Sequence, residues 1–276
     1  MGFPKAIAGS SITVSTSEVD VATGIKVPDG VGRSGSMVYF SPWIVDTAPS
    51  VAEGLGGVFS LAGNWPHSPT EVPSPVGGSH LGAIGARITT PRERWVINQP
   101  VSAGQEFDLK FEGFDAVASG ARGGATFYYD LSTPSGPPIS SKVARETQVS
   151  SAGETALADL SLEGAGQIIE FVPIVVPSGT TTADMEIAGR LIIRSDSLSP
   201  VNEISFDIEP FNGVEATSGQ LSQSSLWRQE VRLVTNVPSV TLSSAFDLDV
   251  ALTTQTAEVG YCARFIKRTT TPNPRA

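Results

Sequence analysis

The sequence predicts an all-β protein made of two tandem β-barrels or β-sandwiches that are related by internal duplication. Short segments rich in Val, Ile, Thr and aromatic residues recur along most of the 276 residues, and turn residues separate them. The chain has 28 Gly and 20 Pro, whereas long helical runs of Leu, Ala, Glu and Lys are nearly absent. This composition favours many short strands joined by turns.

Three sequence echoes, which keep the same order in the two halves, predict the duplication. They are residues 37–45 with 168–176 (offset 131), 94–100 with 232–238 (offset 138), and Phe107–Leu109 with Phe246–Leu248 (offset 139). We therefore expect one β domain over residues 1–133 and a second over 134–276. The junction between them is the stiff, uncharged stretch Thr133–Pro138, which should hold the halves close together.

Twelve segments have the composition of strands. In chain order they are Ser11–Thr16, Ser36–Val45, Gly57–Ala62, Arg94–Ile97, Glu106–Phe111, Ala125–Leu131, Gln167–Val176, Glu186–Arg194, Glu203–Glu209, Glu230–Thr235, Phe246–Leu252 and Gly260–Lys267. Short helical turns are predicted at Pro49–Gly54 and Thr182–Ala188, at equivalent places in the two copies.

A long exposed loop is predicted for Gly63–Ala86, because its density of Pro and Gly is incompatible with a sheet ladder. The corresponding span of the second copy, from Asp196 to about Gln223, contains the strand Glu203–Glu209. It is six residues longer, since the offset grows from 132 to 138 across it.

Charge and cysteine content restrict the function classes. The net charge of -10 argues against a general polyanion binder. Four basic residues near the C-terminus predict a solvated tail, with a small anion or nucleic-acid contact as the alternative; they are Arg264, Lys267, Arg268 and Arg275. Cys262, the only cysteine, lies in an apolar run and is expected to be a buried, inert thiol. Without a signal-like start or a membrane-spanning run, we expect a soluble product made in the cytoplasm.

No residue pattern predicts a catalytic, cofactor-binding or metal site, so we expect neither an enzyme nor a cofactor. His67 and His80 could form a metal site with Glu71, but solvated loop histidines are the simpler interpretation. Glu203, Ser205, Asp207 and Glu209 alternate on one strand face; they could present carboxylates to a sugar, although a wet sheet face is preferred.

The tryptophans give one candidate contact residue. Trp43 and Trp95 lie in apolar strand contexts and are predicted to belong to the core. Trp65 lies in the predicted exposed loop, where it could contact a partner such as a sugar. Asp108 and Asp247 recur in both copies, which indicates a role in the fold.

Two similar β-barrels in tandem, with long loops between strands, resemble the double jelly-roll major capsid proteins of icosahedral viruses. The resemblance extends from about Ser11 to Arg268 and rests on architecture and size, because that family has no diagnostic short motif. It implies that each half is an eight-stranded jelly roll standing upright in a shell. The number of strands predicted here falls below eight per half.

The same resemblance implies how the protein assembles and where it is found. Three chains would form a homotrimer with a pseudo-sixfold outline, since three copies of two like units tile a hexagonal lattice. The expected partners are other copies, other virion proteins and an internal membrane beneath the shell. It implies no specific nucleic-acid site and no small-molecule substrate. The expected location is the virion.

Three alternatives remain open at the level of sequence. A single jelly-roll coat protein with an appended β domain would have a similar composition, although Met1–Glu18 contains only one basic residue, Lys5. A tandem β-sandwich carbohydrate-binding module or glycan-active protein is the second. A phage tail or fibre component is the third.

Overall fold

The computed structural model describes residues 3–6, 10–29, 35–46, 55–65, 70–77, 88–89, 93–115, 121–130, 136–178, 186–212, 228–252 and 256–268. These residues form twenty strands and no helix. The strands are β1 (Phe3–Ala6), β2 (Ser10–Ile12), β3 (Val19–Lys26), β4 (Gly35–Asp46), β5 (Leu55–Gly63), β6 (Thr70–Gly77), β7 (Ile88–Thr89), β8 (Trp95–Val101), β9 (Glu106–Gly113), β10 (Ala121–Asp130), β11 (Ser140–Val149), β12 (Gly153–Ala156), β13 (Leu160–Glu163), β14 (Gly166–Ser178), β15 (Glu186–Arg194), β16 (Leu198–Ser199), β17 (Glu203–Asn212), β18 (Gln229–Thr235), β19 (Ser239–Leu248) and β20 (Thr256–Lys267).

Each half of the chain forms two antiparallel sheets in the same strand order. In the first half, β1 and β2 pair with β10, which pairs with β4, and β4 pairs with β8; we name this the β4 sheet. Its partner, the β5 sheet, has the order β3-β9-β5-β6. In the second half, the β14 sheet has the order β11-β20-β14-β18, and in the β15 sheet β12 and β13 pair with β19, followed by β15 and β17.

Each half is therefore an eight-stranded jelly roll, if split strands are counted once and the two-residue strands β7 and β16 are left aside. The all-β tandem fold predicted from the sequence is confirmed. Each half, however, has more strands than the sequence predicted. Apart from the two-residue strands, the strands that the sequence did not predict are β1, β3, β6, β11 and the β12–β13 pair. These strands carry many polar residues or prolines, which hides their alternation.

Two glycines occupy the same position in the two halves. A Cβ on Gly57 would lie 2.1 Å from the carbonyl oxygen of Glu112, and one on Gly189 would lie 2.4 Å from that of Asp247. Both glycines follow a register shift, after Leu55 in β5 and after Ile187 in β15. Both strands thus bend at the same place, where a neighbouring backbone leaves no room for a side chain.

The register refines the sequence echoes. The echoed segments lie on equivalent strands, β4 with β14, β8 with β18 and β9 with β19. Residue by residue, however, Phe59 lies opposite Phe111 and Leu191 lies opposite Phe246. With Gly57 and Gly189 aligned, Phe246 corresponds to Phe111, four residues from the Phe107 that the echo suggested.

The predicted loop Gly63–Ala86 contains the strand β6, so that prediction was wrong for residues 70–77. The two prolines of β6 lie opposite Val58 and near Gly57 of β5. Proline is tolerated there because β6 is the last strand of its sheet and has a neighbour on one side only.

The two predicted helical turns are not confirmed. Residues 49–54 and 182–185 lie outside the described residues, and Glu186–Ala188 belong to the strand β15. Among the described residues there is no helix with the length and apolar character needed to cross a bilayer.

The main packing between the two halves joins one sheet of each half. The β5 sheet of the first half contacts the β14 sheet of the second, through β6 and β5 on one side and β14, β11 and β20 on the other. At the edge of the first half, the N–H of Ile139 donates to the carbonyl of Ile97 at 2.9 Å, and Nε2 of Gln99 donates to the carbonyl of Ile139 at 3.0 Å. The chain is therefore tied to the first half directly after the junction.

The burial pattern shows which sheets are covered on both faces. Residues Glu170–Val176 of β14 and Val259–Phe265 of β20 are buried without interruption. In contrast, residues 39–45 of β4 alternate between half-buried and buried. A strand whose residues are all buried has both faces of its sheet covered. A strand whose residues alternate between buried and half-buried has one face of its sheet open to solvent.

Candidate functional site: the interface between the halves

A buried ion cluster lies where the two halves meet. Glu170 on β14 accepts a hydrogen bond from Nη1 of Arg264 on β20 at 2.5 Å. It also accepts two from Arg228, at 2.5 Å from Nε and 3.2 Å from Nη2. The Glu170 and Arg264 side chains are 5% and 4% exposed. Two guanidiniums therefore saturate this carboxylate, which suits a fixed structural anion.

The same arginines connect the second half to the first. The Cζ atoms of Arg228 and Arg264 lie 4.7 Å and 5.2 Å from the centre of the Trp95 ring. Arg264 also donates to the carbonyl of Val96, and Arg228 lies 3.9 Å from Glu93. A desolvated guanidinium over an indole is attracted by the ring electrons. The first half thus contributes the aromatic surface and the second half the cations.

A second cluster joins the halves through Glu71 of β6. Its carboxylate accepts hydrogen bonds from the Val143 N–H at 2.6 Å and from Nη2 of Arg145 at 2.5 Å. Arg145 also lies 3.3 Å from the carboxylate of Glu112. Burial raises the pKa of Glu71 and of Glu112, and the Arg145 guanidinium offsets only part of that effect.

An aromatic contact completes the interface. Phe114, the first residue after β9, is fully buried. A Cβ on Gly260 of β20 would lie 2.6 Å from its Cε2 atom and 2.5 Å from the carbonyl oxygen of Ala144. Glycine at 260 therefore allows the Phe114 ring to lie directly on the β14 sheet.

A polar cleft of about 620 Å³ opens beside the Glu170 cluster. It is lined by Gln167, Ile169, Glu170, Arg228, Glu230, Val231, Arg232 and Arg264. Its Glu170 carboxylate is already bound by arginine. Gln167 and Glu230 also line the cleft, and their side chains suit a polar molecule.

The structure brings few of the sequence-based candidates together. His67 and His80, which form the metal hypothesis together with Glu71, lie outside the described residues. Among the described residues, no group of three or more His, Cys, Asp or Glu side chains could hold a metal ion. Glu71 itself belongs to the interface.

Trp65 is buried, so its prediction as an exposed contact residue was wrong. Its ring centre lies 5.3 Å from that of Phe107, because the chain folds back over β9 directly after β5. Trp95 is buried as predicted and Trp43 is half-buried. The acidic strand has one wet face as preferred, since Glu203, Ser205 and Asp207 are exposed.

Arg264 was predicted to lie in a solvated tail and is instead buried in β20. A signal was present in the sequence, because Arg264 interrupts the apolar run 259–266 and an arginine inside such a run must find a partner. Cys262 is buried as predicted, and burial raises the pKa of its thiol.

Comparisons with known proteins identify the fold. The sequence matches no protein-family model and no curated protein. Among solved structures it is similar to PNGF-II, with a TM-score of 0.55 and 9% identity over 97% of this chain and 65% of that one. This chain therefore spans slightly less than two thirds of PNGF-II.

Two further structures are similar over nearly their whole length. PNGase F, a glycosylasparaginase from Flavobacterium meningosepticum, has a TM-score of 0.52 and 7% identity over 98% of this chain and 97% of that one. The STIV MCP has a TM-score of 0.45 and 11% identity over 96% and 97%. At these identities the likeness concerns the fold alone.

Proposed function

We propose that this protein is a structural virion protein, a major capsid protein that assembles through homotrimers into an icosahedral shell. The observation that carries the proposal is the pair of like jelly rolls joined by a buried interface. The Glu170 and Glu71 clusters and Phe114 fix the two units side by side. Three such rigid pairs present six similar units, which suits a hexagonal lattice.

The proposal includes two domains, residues 1–133 and 134–276. Each of the four sheets draws all its strands from one of these halves, which supports the division. The boundary falls in residues 131–135, which lie outside the described residues. The working partners of the protein would be other copies of itself, other virion proteins and a membrane beneath the shell. It would act without catalysis and without a cofactor.

A glycan-active protein is the second candidate. The specific observation in its favour is the fold likeness to PNGase F at a TM-score of 0.52, together with the polar cleft beside Glu170. In this alternative the cleft would hold a polar sugar between Gln167, Glu230 and Arg232.

The deciding experiment images and sizes the purified protein. Negative-stain electron microscopy with analytical ultracentrifugation should give stable trimers at moderate concentration and closed shells at high concentration. In parallel, an N-glycosylated peptide is incubated with the protein, with PNGase F as the positive control. A monomer that removes or binds the glycan would contradict the capsid proposal and support the second candidate.

A further inference from the structure

Three cations without a carboxylate partner lie at one end of the β14 sheet. They are Arg232 on β18 and, at the end of β20, Lys267 and Arg268. None of the three forms an ion pair with a described residue. Other basic residues do contact a carboxylate, such as Lys26 at 3.0 Å and Arg190 at 2.9 Å. In a chain with a net charge of -10, these three cations form a local positive region that its own acids leave uncompensated.

A small cleft lies between these cations. Its volume is about 330 Å³, and its lining residues are Gly166, Gln167, Val234, Ile266, Lys267 and Arg268. We call it the Gln167 trough. The register places Gln167 opposite Val234 on one side and opposite Ile266 on the other, so these three side chains form a row across the sheet. Gln167 also lines the polar cleft beside Glu170, together with Arg232, so Arg232 borders the trough from that side.

Hydrogen bonds fix Arg268 at the end of the trough. Its N–H donates to the carbonyl of Ala165 at 2.8 Å, and its Nη1 donates to Oδ1 of Asn236 at 3.0 Å. Ala165 directly precedes the middle strand β14, whereas Asn236 directly follows the flanking strand β18. The Arg268 side chain therefore reaches across the end of β14. A guanidinium held in this way can offer its other N–H groups to an anion with little further loss of side-chain freedom.

A glycine turn positions Lys267. Gly164 has a φ of +90°, which favours glycine, and a Cβ there would lie 3.4 Å from Cδ of Lys267. The alkyl chain of Lys267 therefore lies along this turn. The turn itself is held by a hydrogen bond of 2.6 Å from the N–H of Gly164 to the carbonyl of Pro238. The carboxylate of Glu163, the residue before the turn, forms no ion pair with Lys267.

The two cations at the end of β20 distinguish the second half from the first. Ala125 of β10 and Tyr261 of β20 lie opposite the equivalent prolines of β4 and β14. The two strands thus correspond at an offset of 136, the difference between 261 and 125. In the sequence, the same offset places Leu131 and Ser132 where the second half has its two cations. A feature that only one copy of a duplicated unit carries is not required by the common fold, so it is a candidate for binding.

The lining of the trough defines the class of ligand. An arginine fork matches the oxygens of a phosphoryl group, and a lysine adds a compact point charge. Three cations together suit a doubly charged group better than a single carboxylate. Val234 and Ile266 are half-buried and add apolar surface, and the Gln167 amide can both donate and accept. The volume fits a small molecule, because ligand sites start at about 300 Å³.

We propose that the Gln167 trough binds a small organic phosphomonoester. Lys267 and Arg268 bind the phosphoryl oxygens, and Arg232 adds positive charge from the side of the polar cleft. The organic part lies on Val234 and Ile266. This inference goes beyond the proposed function, because one chain can bind such a molecule without assembly and without catalysis.

Isothermal titration calorimetry on the full chain tests the ligand class. The probes are adenosine monophosphate, inorganic phosphate, and adenosine as the matched molecule without a phosphoryl group. We expect adenosine monophosphate to bind more tightly than inorganic phosphate, because the apolar row adds contact, and adenosine to give no measurable binding. Added salt should weaken binding, because the trough is open to solvent and its charges are screened.

Substitutions then locate the site. Lys267→Gln and Arg232→Gln each remove one cation of the trough and should raise the Kd for adenosine monophosphate by about tenfold, which corresponds to about 1.4 kcal/mol. Lys267→Arg keeps the charge and should retain most of the affinity. The controls are Lys26→Gln, whose side chain is 66% exposed, and Arg122→Gln, also exposed; both lie in the first half and should bind like the wild type. Circular dichroism first establishes that all variants fold.

Several results would overturn the inference. One is a wild type that binds neither adenosine monophosphate nor inorganic phosphate, and another is a folded Lys267→Gln variant that binds as tightly as the wild type. Adenosine that binds as well as its monophosphate would show that the phosphoryl group is not recognised. Binding confined to a polynucleotide, or to vesicles that contain an anionic lipid, would also reject a small-molecule site.

The outcomes separate this inference from the proposed function. A protein that binds adenosine monophosphate through Lys267 but forms neither trimers nor shells keeps the site and rejects the capsid role. Shells built from chains that bind no phosphoryl compound keep the capsid role and reject the site.

Discussion

The carboxylate of Glu170 lies 2.5 Å from Nη1 of Arg264, although 94 residues separate the two in the chain. The pair lies between the halves, with the Trp95 ring above Arg264. Removing water from two charges is costly, and close contact with further hydrogen bonds compensates for that cost. The paired Arg264 also makes the interface specific, because it donates to the carbonyl of Val96 in the first half only when the two halves are aligned.

Glu170→Gln should therefore destabilise the fold. The substitution keeps the size of the side chain but leaves two arginines without their anion, one of them buried, so the free energy of unfolding should fall by about 3–5 kcal/mol. Chemical denaturation followed by tryptophan fluorescence measures the change. Glu203→Gln, which breaks an ion pair whose carboxylate side is 55% exposed, serves as the control and should cost no more than about 1 kcal/mol. Equal effects would contradict the structural role of the cluster.

Gly57→Ala and Gly189→Ala should both destabilise, in line with their equivalent positions. In each case the new methyl group would lie within 2.4 Å of a backbone carbonyl oxygen, so the strands must shift. Overpacking of this kind costs about 1–3 kcal/mol. Thermal unfolding of the two variants is compared with that of Gly123→Ala, where the nearest atom is the flexible Ile12 Cδ1 at 3.2 Å. If one of the two substitutions leaves the melting temperature unchanged, the structural equivalence of the two glycines is contradicted.

The contribution of Glu71 and Glu112 to stability should fall as the pH rises above the ordinary Glu pKa of 4.5. The folded protein holds protons on Glu71 and Glu112 more tightly than the unfolded chain does, because burial raises the pKa of both. Their contribution is complete below the unfolded pKa and is lost as the pH passes through the folded one. Melting temperatures measured across this range should decline less in Glu71→Gln than in the wild type.

The control for this pH effect is Glu106→Gln, at a side chain that is 56% exposed. It should leave the slope unchanged. A Glu71→Gln slope identical to that of the wild type would show that Glu71 keeps its charge throughout, with Arg145 dominating over burial.

Cys262 should be unreactive in the folded protein. The thiol is fully buried and its pKa is raised by that burial, so little thiolate forms and no reagent reaches it. A chromogenic disulfide reagent at neutral pH should label the chain only after denaturant is added. Fast labelling of native protein would mean that the β14 sheet opens readily.

Strands that face one core are visible in the local sequence, whereas edge strands and long-range ion pairs are not. The apolar alternation of Phe107–Leu109 predicted β9 correctly, because facing one core leaves a period of two in the chain itself. The strand β6 was hidden by Pro73 and Pro75, since local rules cannot tell an edge strand from a loop. Arg264 was misplaced because its partner Glu170 is distant in sequence.

By itself, the sequence determined the class of fold, most of the strands and the duplication, since these follow from composition and short-range periodicity. Only the tertiary structure decided which face of each jelly roll is covered. Residues 39–45 and 170–176 are similar apolar strands in the sequence, yet one keeps an open face and the other is buried on both. That difference depends on long-range packing, because burial is decided by the surface that lies opposite and not by the residues of the strand alone.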